Sequence, residues 1–372
     1  VPDSSVYRIL DANANRASEA ARTLEDAARF ALGDGPLAAR LKGIRHALRA
    51  ALAPLDNPPG RLLAARDTPR DPGTSLSDRR EQSRATLADV CAAAGGRIAE
   101  ALRVLEETLK TLDAGDATAA IKQLRYSAYD LEQRIVLALL RRERAAQWPL
   151  CVLVSQSLCT HHPWEEVAAR AIRAGASCVQ LREKSLPDRE LLARAQTLVR
   201  IARETPLGGD SARRAVVIIN DRTDVALAAG ADGVHLGQDD LAVAAARSLA
   251  ASAAAPAFLV GVSTASADQA RRALDDGADY VGLGPMFPSA TKPKERLAGV
   301  AYLREFLQLS IERAGDAPPV PHLAISGISP RNIGELVAAG CRGVAVSSCV
   351  CSSPDPAAVC RELLAALAAG SR

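Results

Sequence analysis

Aromatic residues are scarce in this chain: Phe, Trp and Tyr make up 3% of its 372 residues, while Ala and Leu abound. That shortage argues against an all-β fold and suits small-residue helix packing. A strong charge bias is missing too. The formal net charge is +3, and no Lys/Arg block carries interleaved aromatics, so no nucleic-acid partner is expected. No stretch approaches the ~18 consecutive apolar residues of a membrane span, and no charged start, apolar run and small-residue cleavage site opens the chain. The expectation is a cytoplasmic protein with no membrane partner. The chain opens on Val1 rather than Met, which leaves room for residues upstream. The eight cysteines lack paired C-x-x-C spacing and several fall where strands are expected, so they read as buried reduced thiols. His161 and His162 are adjacent, and because neighbouring side chains diverge they read as a loop pair rather than metal ligands.

A length of 372 residues exceeds what one hydrophobic core usually organises, and the patterning divides it in two. Residues 1–147 read as helix after helix, with Arg and Glu at spacings of three and four and no alternating strand pattern. This half carries an internal duplication. Arg16-x-x-Glu19-Ala20-x-Arg22-x-Leu24-Glu25 recurs as Arg97-x-x-Glu100-Ala101-x-Arg103-x-Leu105-Glu106. Leu41-Lys42-x-x-Arg45-His46 is echoed by Ile121-Lys122-x-x-Arg125-Tyr126, which suggests a pseudo-symmetric bundle of matched helix pairs. The plain reading of the repeated charges is a solvated helix face. Between the repeats, Arg66-Asp67-Thr68-Pro69-Arg70-Asp71-Pro72-Gly73-Thr74 is either an ordered functional loop or a connector.

After Trp148-Pro149 short apolar runs alternate with amphipathic helices, the signature of βα units and a parallel sheet. Strands are predicted to begin near Cys151, Cys178, Val216, Val234, Leu259, Tyr280, Leu323 and Val344. Eight such runs predict an α/β fold, a (β/α)8 TIM barrel over 148–372, preceded by the all-α domain. A recurrent junction supports the count: Gly175-Ala176-x-x-Val179, Gly230-Ala231-x-x-Val234, Gly277-Ala278-x-x-Val281 and Gly340-Cys341-x-x-Val344, each Gly fitting the left-handed end of a helix.

Active sites of such barrels lie at the C-terminal ends of the strands. Polar residues concentrate there: Gln180-Leu181-Arg182-Glu183-Lys184, Asn220-Asp221-Arg222, His235 through Asp240, Ser263, Ser289-Ala290-Thr291-Lys292, Ser326-Gly327 and Ser347-Ser348. Arg182, Lys184 and Lys292 can converge as cations on a polyanion, while Asp221 and Asp240 can hold a hard divalent cation. Mg²⁺ takes one or two carboxylates and fills its remaining positions with water and phosphate oxygens, so the set suits Mg²⁺-diphosphate. Gly327 with the turn at Ser347-Ser348 offers backbone N–H groups after strands 7 and 8, where such barrels hold a monophosphate. His235 and Gln180 are left to hydrogen-bond a heteroaromatic ring. No nucleophile stands beside an obvious base, so displacement of diphosphate fits better than covalent catalysis.

Together Q-L-R-E-K, I-N-D-R, G-A-D-G-V-H-L-G-Q-D-D, G-V-S, D-Y-V-G-L-G-P-M-F-P-S-A-T-K and G-V-A-V-S-S resemble the thiamine phosphate synthase family across nearly all of 148–372. The resemblance implies that a pyrimidine diphosphate is held by Gln180, Arg182, Lys184, Asn220, Ser263 and Lys292, with Mg²⁺ on Asp221 and Asp240. It also implies a thiazole phosphate bound around Ser289, Ala290, Thr291, Gly327, Ser347 and Ser348, with Leu181, Glu183 and His235 in the same substrate-lined region. Arg182, Lys184, Ser263 and Lys292 are the implied catalytic set, acting in a largely dissociative loss of diphosphate. Two departures fall on the thiazole side: Ala265 where the family often has His, and Ser326-Gly327 where it often has Gly-Gly.

The helical half resembles a domain fused ahead of the synthase in some bacteria, which implies phosphorylation of hydroxymethylpyrimidine phosphate by ATP. The likeness rests on R-I-L-D-A-N-x-N-R, the two R-x-x-E-A-x-R-x-L-E blocks and D-T-P-R-D-P-G. On that reading Asp67 and Asp71 are metal candidates, and Arg16, Arg45 and Arg97 phosphate candidates. No Gly-x-x-x-x-Gly-Lys-[Ser/Thr] loop or kinase-type Gly-rich loop is present. Three readings follow: a bifunctional kinase and synthase, a synthase with a helical interaction or oligomerisation module, and a phosphosugar-type barrel releasing no diphosphate.

Overall fold

Ala17, Ala20, Ala21 and Leu24 recur at three- and four-residue spacing along α1 (Ser4–Asp26), and all are buried. Small residues at that spacing let a second helix approach closely. In the computed structural model, which describes residues 4–67, 83–146, 148–289, 297–314 and 319–370, the neighbour is α4 (Leu87–Lys110). It contributes Ala94, Ile98, Ala101, Leu102 and Leu105 to the same core. Between them in sequence, α1 runs on into a π-helical turn at Ala27–Leu32, then come α2 (Gly35–Leu52) and the short α3 (Arg61–Ala64). The Asp34 side chain accepts from Leu37 N at the start of α2, and Thr86 and Asp89 form a reciprocal capping box at the start of α4. The long α5 (Gly115–Ala146) follows, and its Ile121, Ala128, Leu131 and Ile135 join that core.

The chain divides near residue 140 into two compact units. In the helical unit the first Arg/Glu block lies on α1 and the second on α4, while Arg45 and Arg125 lie on α2 and α5. Glu25 and Glu106 are buried, and each meets an arginine: Arg45 Nη1 is 2.6 Å from Glu25 Oε2, and Arg125 Nη2 is 3.0 Å from Glu106 Oε2. Arg22 and Arg103 reach the same two carboxylates from one turn away, at 3.6 and 3.1 Å. The charges expected on a solvated face are thus partly turned inward, because a buried carboxylate must be paired.

The second unit is a closed barrel of eight parallel strands in the order β1 through β8. Its elements are β1 (Leu150–Val154), α6 (Trp164–Arg173), β2 (Cys178–Leu181), α7 (Asp188–Glu204), β3 (Val216–Asn220), α8 (Thr223–Ala229), β4 (Gly233–Leu236) and α9 (Val243–Ser252). They continue with β5 (Leu259–Thr264), α10 (Ala267–Asp275), β6 (Tyr280–Leu283), α11 (Gly299–Ala314), β7 (His322–Ile325), α12 (Ile333–Ala338), β8 (Val344–Val346), α13 (Ser348–Cys351) and α14 (Pro356–Ala369). Every strand starts within one residue of its sequence-predicted position. Gly175, Gly230, Gly277 and Gly340, which precede β2, β4, β6 and β8, all have positive φ.

Alternate residues of each strand face opposite ways. On β1, Leu150, Val152 and Val154 pack outward against the helices, and Cys151 and Leu153 fill the barrel interior with Cys178, Ile218, Leu259, Tyr280 and Leu323. Tyr280 fits only because its register partner is Gly261: a Cβ there would lie 2.1 Å from Tyr280 Cζ. Six cysteines are buried, two are half-buried, and none forms a disulfide. Among the described residues no helix is long and apolar enough to cross a membrane.

Candidate active site

The polar residues at the strand ends follow directly from the barrel register. β3 ends at Asn220, which pairs with His235 on β4, and the backbone N–H of Asp221 then donates to His235 O at 2.8 Å. Asp221 is left-handed, with φ 64°. Asp adopts that region more readily than most residues, and the turn brings its carboxylate to the Lys184 ammonium, 3.4 Å away. Burial pushes the Asp221 carboxyl above the usual carboxylate range; the Asp240 side chain beside it adds to the rise and Lys184 opposes it. Asp240 is fixed in turn by Gly237 N, which donates to its Oδ2 at 2.6 Å. Two carboxylates so placed repel unless a proton or a cation lies between them, and with hard oxygen donors on both the pair fits a divalent ion. Among the described residues no third His, Cys, Asp or Glu completes a protein-only metal cluster, which leaves the remaining positions to water or phosphate oxygens.

Of the β2 end, Gln180 is buried and Arg182 is half-buried, and neither side chain has a hydrogen-bond partner among the described residues. Leu181 points into the shell between strands and helices. Glu183 is committed locally: it accepts from Arg194 at 2.9 Å and from Gln156 N at 2.8 Å, pinning the segment after β1. Ser155 Oγ donates to Arg182 O, which ties the β1 and β2 ends together.

A relay runs from the barrel interior to this face. Tyr280 Oη lies 3.1 Å from His235 Nδ1, and His235 Nε2 lies 2.9 Å from Ser263 Oγ. Burial pushes the Tyr280 phenol well above its ordinary value, so it stays protonated and donates to Nδ1. Nε2 then carries the imidazole proton and donates to Ser263, whose own hydroxyl proton is left to point elsewhere. Gly282 makes room for the imidazole, since a Cβ there would stand 3.0 Å from His235 Cε1.

On the opposite side, Ser326 and Gly327 are both left-handed, with φ 84° and 66°. Gly327 is obligatory, because a Cβ would meet Pro288 O at 2.4 Å; Ser326 compensates for its side chain by donating to Phe287 O at 3.1 Å. Ser347 Oγ donates to Leu153 O at 2.8 Å, and α13 begins at Ser348, so the first N–H groups of that turn have no partner within the helix. Ser289 closes the described part of the β6 loop; Ala290, Thr291 and Lys292 lie outside the described residues.

Sequence reading missed Tyr280. Its signal was available: Tyr280 and Gly282 alternate on the inward face of β6. In the helical unit, Arg45 is held by Glu25, Arg8 Nη2 donates to Asp67 O at 2.6 Å, and Arg16 and Arg97 are exposed without partners among the described residues. Asp71 lies outside the described residues. Glu132 was also missed: its carboxyl packs over Gly95, and burial pushes it above the usual range.

Comparison with known proteins gives two family matches. The family described as "Thiamine monophosphate synthase" matches residues 150–350, and the "ThiD2 family" matches residues 8–134. A protein named thiamine-phosphate synthase from Rhodopirellula baltica is 39% identical over 92% of this chain and 88% of its own length. Another of that name, from Gloeobacter violaceus, is 40% identical over 96% of this chain and 95% of its own. Among solved structures, thiamine phosphate pyrophosphorylase from Pyrococcus furiosus aligns with a TM-score of 0.51 at 30% identity, covering 61% of this chain and 98% of that one.

Proposed function

The chain belongs to the thiamine monophosphate synthase family, and from that premise we propose that its barrel joins 4-amino-2-methyl-5-(diphosphooxymethyl)pyrimidine to a thiazole phosphate with release of diphosphate. It is a transferase, a thiamine-phosphate synthase. The observation that carries the substrate reading is the meeting of Lys184 with Asp221 beside Asp240; Lys184 shares the β2 end with Arg182, whose side chain has no partner among the described residues. Such a set matches a metal-bound diphosphate better than a monophosphate.

In this reading Gln180 and His235 hold the pyrimidine ring, and Asn220 and Ser263 orient the group between ring and diphosphate. Arg182, Lys184 and Lys292 hold the diphosphate as its bond to the pyrimidine methylene carbon breaks and the thiazole nitrogen captures that carbon. Charge builds on the leaving oxygen, and each cation aimed at it is worth roughly 3–4 kcal/mol, or about 10²–10³ in rate. Asp221 and Asp240 would hold Mg²⁺, which when bound neutralises diphosphate oxygens. Ser289, Ala290, Thr291, Gly327, Ser347 and Ser348 form the thiazole phosphate side, where backbone N–H groups of Gly327 and of the α13 start suit a terminal phosphate.

For the helical unit we infer a duplicated bundle that phosphorylates hydroxymethylpyrimidine phosphate from ATP. The family match over 8–134 supports it, as do the two buried pairs Glu25–Arg45 and Glu106–Arg125, which fall at corresponding points of the repeated blocks. The competing reading, a module without catalysis, is favoured by the commitment of Arg45 to Glu25. One experiment separates them: the full-length protein is given thiazole phosphate and Mg²⁺ with either the pyrimidine diphosphate, or the monophosphate plus ATP. Product in both arms supports both activities; product only from the diphosphate removes the kinase; no product in either removes the synthase.

A further inference from the structure

At the end of the barrel opposite Asp221 and Asp240, a cavity of about 390 Å³ opens among the starts of the strands. That volume lies in the range of small-molecule sites. Four arginines line it, Arg144, Arg203, Arg213 and Arg214, against one acid, Asp232. Asp232 is already used on both oxygens: Oδ1 accepts from Arg144 at 2.5 Å, and Oδ2 accepts from Val217 N at 2.7 Å. Among the described residues Arg214 bonds only backbone carbonyls, those of Ser211 at 2.6 Å and Arg213 at 3.1 Å. The side chains of Arg203 and Arg213 have no partner among the described residues.

Among the described residues, three guanidinium groups therefore border one concavity with no carboxylate to balance them. Several other arginines of this unit are tied to acids: Arg141 and Arg247 share Asp279, Arg194 holds Glu183 and Glu190, and Arg222 holds Asp188 and Asp224. Like charges brought together raise each other's energy, and a di-anion among them removes that cost while matching the forked N–H geometry of arginine. Apart from Ser177 and Gly230, the other lining side chains are apolar. Trp148, Val199 and Leu207 line it, and the Trp148 indole packs edge-on to Tyr280 with ring centroids 4.9 Å apart. Cations together with one indole and aliphatic side chains in the same lining define the class of ligand.

We propose that this cavity is a second binding site, separate from the active site, for a small organic phosphate with an unsaturated or apolar body. The test uses phenyl phosphate as the probe, with inorganic phosphate and phenol as its two halves. The chain has two tryptophans, Trp148 and Trp164, so in Trp164→Phe the indole at the cavity is the sole reporter. Phenyl phosphate should change its emission saturably, inorganic phosphate should do so more weakly, and phenol should do nothing at the same concentrations. Adding Arg203→Ala and Arg213→Ala should weaken phenyl phosphate by at least about tenfold while thiamine phosphate synthesis continues at the same rate. Equilibrium dialysis of labelled phenyl phosphate against the full chain, with and without the two arginine substitutions, gives the same comparison free of the Trp164 change. Absence of saturable binding, or equal affinity with and without Arg203 and Arg213, would overturn the proposal.

Discussion

His235 stands between two hydroxyls, with Tyr280 Oη 3.1 Å from Nδ1 and Ser263 Oγ 2.9 Å from Nε2. Because the deeper hydroxyl is sealed in the barrel and stays protonated, the order of donors along the chain is set from the inside outward. Tyr280 acts on the site through His235 and is a positioning residue.

Replacing Tyr280 by Phe removes the donor to Nδ1 and leaves the ring in place. The imidazole should then lose its single tautomer, which ¹⁵N chemical shifts of His235 read directly. The stability cost should be about 1 kcal/mol, typical of a buried hydrogen bond. An unchanged Nε2–H tautomer in Tyr280→Phe contradicts the relay.

Asp221 is held above the usual carboxylate range by burial and by Asp240. For an acid raised in the folded state, the stabilising contribution is present below the unfolded value and is lost as pH rises through the folded one. At neutral pH, in metal-free protein, the ionised carboxylate is therefore a cost. Asp221→Asn should melt no lower than the parent at pH 7 without metal, and its advantage should shrink as pH falls. Synthesis should drop by about 10²–10³. A melting temperature several degrees below the parent would show that Asp221 is a structural residue.

Glu106 and its partner Arg125 are both nearly sealed, whereas Arg45 is about a quarter exposed. Breaking a buried pair by removing one partner costs about 3–5 kcal/mol, and solvent screening reduces that for an exposed partner. Denaturant unfolding should therefore find Arg125→Met clearly more destabilising than Arg45→Met. The reverse order contradicts the burial argument.

Gly261→Ala should also destabilise, by about 1–3 kcal/mol, since its Cβ would overlap the Tyr280 ring. Combined with Tyr280→Phe the clash remains, because it is with the ring and not the hydroxyl. Rescue by Tyr280→Leu would locate the strain.

The strands were legible because their signals are local: apolar runs, and a left-handed Gly such as Gly230 or Gly277 ahead of the next strand. Asp221 and Asp240 could be picked out because barrel chemistry gathers at strand ends. Their closeness was not legible, since it depends on the left-handed turn at Asp221. Tyr280 was hidden for a similar reason: its reach to His235 requires the register that places Gly261 opposite it. In the helical unit the repeat was visible, but the spacing of Arg22 and Glu25 gave no sign that the carboxylate turns inward to Arg45.

Displacement of diphosphate at the strand ends fixes the stoichiometry of the reaction. The full-length protein with Mg²⁺, pyrimidine diphosphate and thiazole phosphate should release one diphosphate for each thiamine phosphate formed, and chelation of the metal should stop both together. Thiamine phosphate formed without matching diphosphate, or no product at all, would contradict the account.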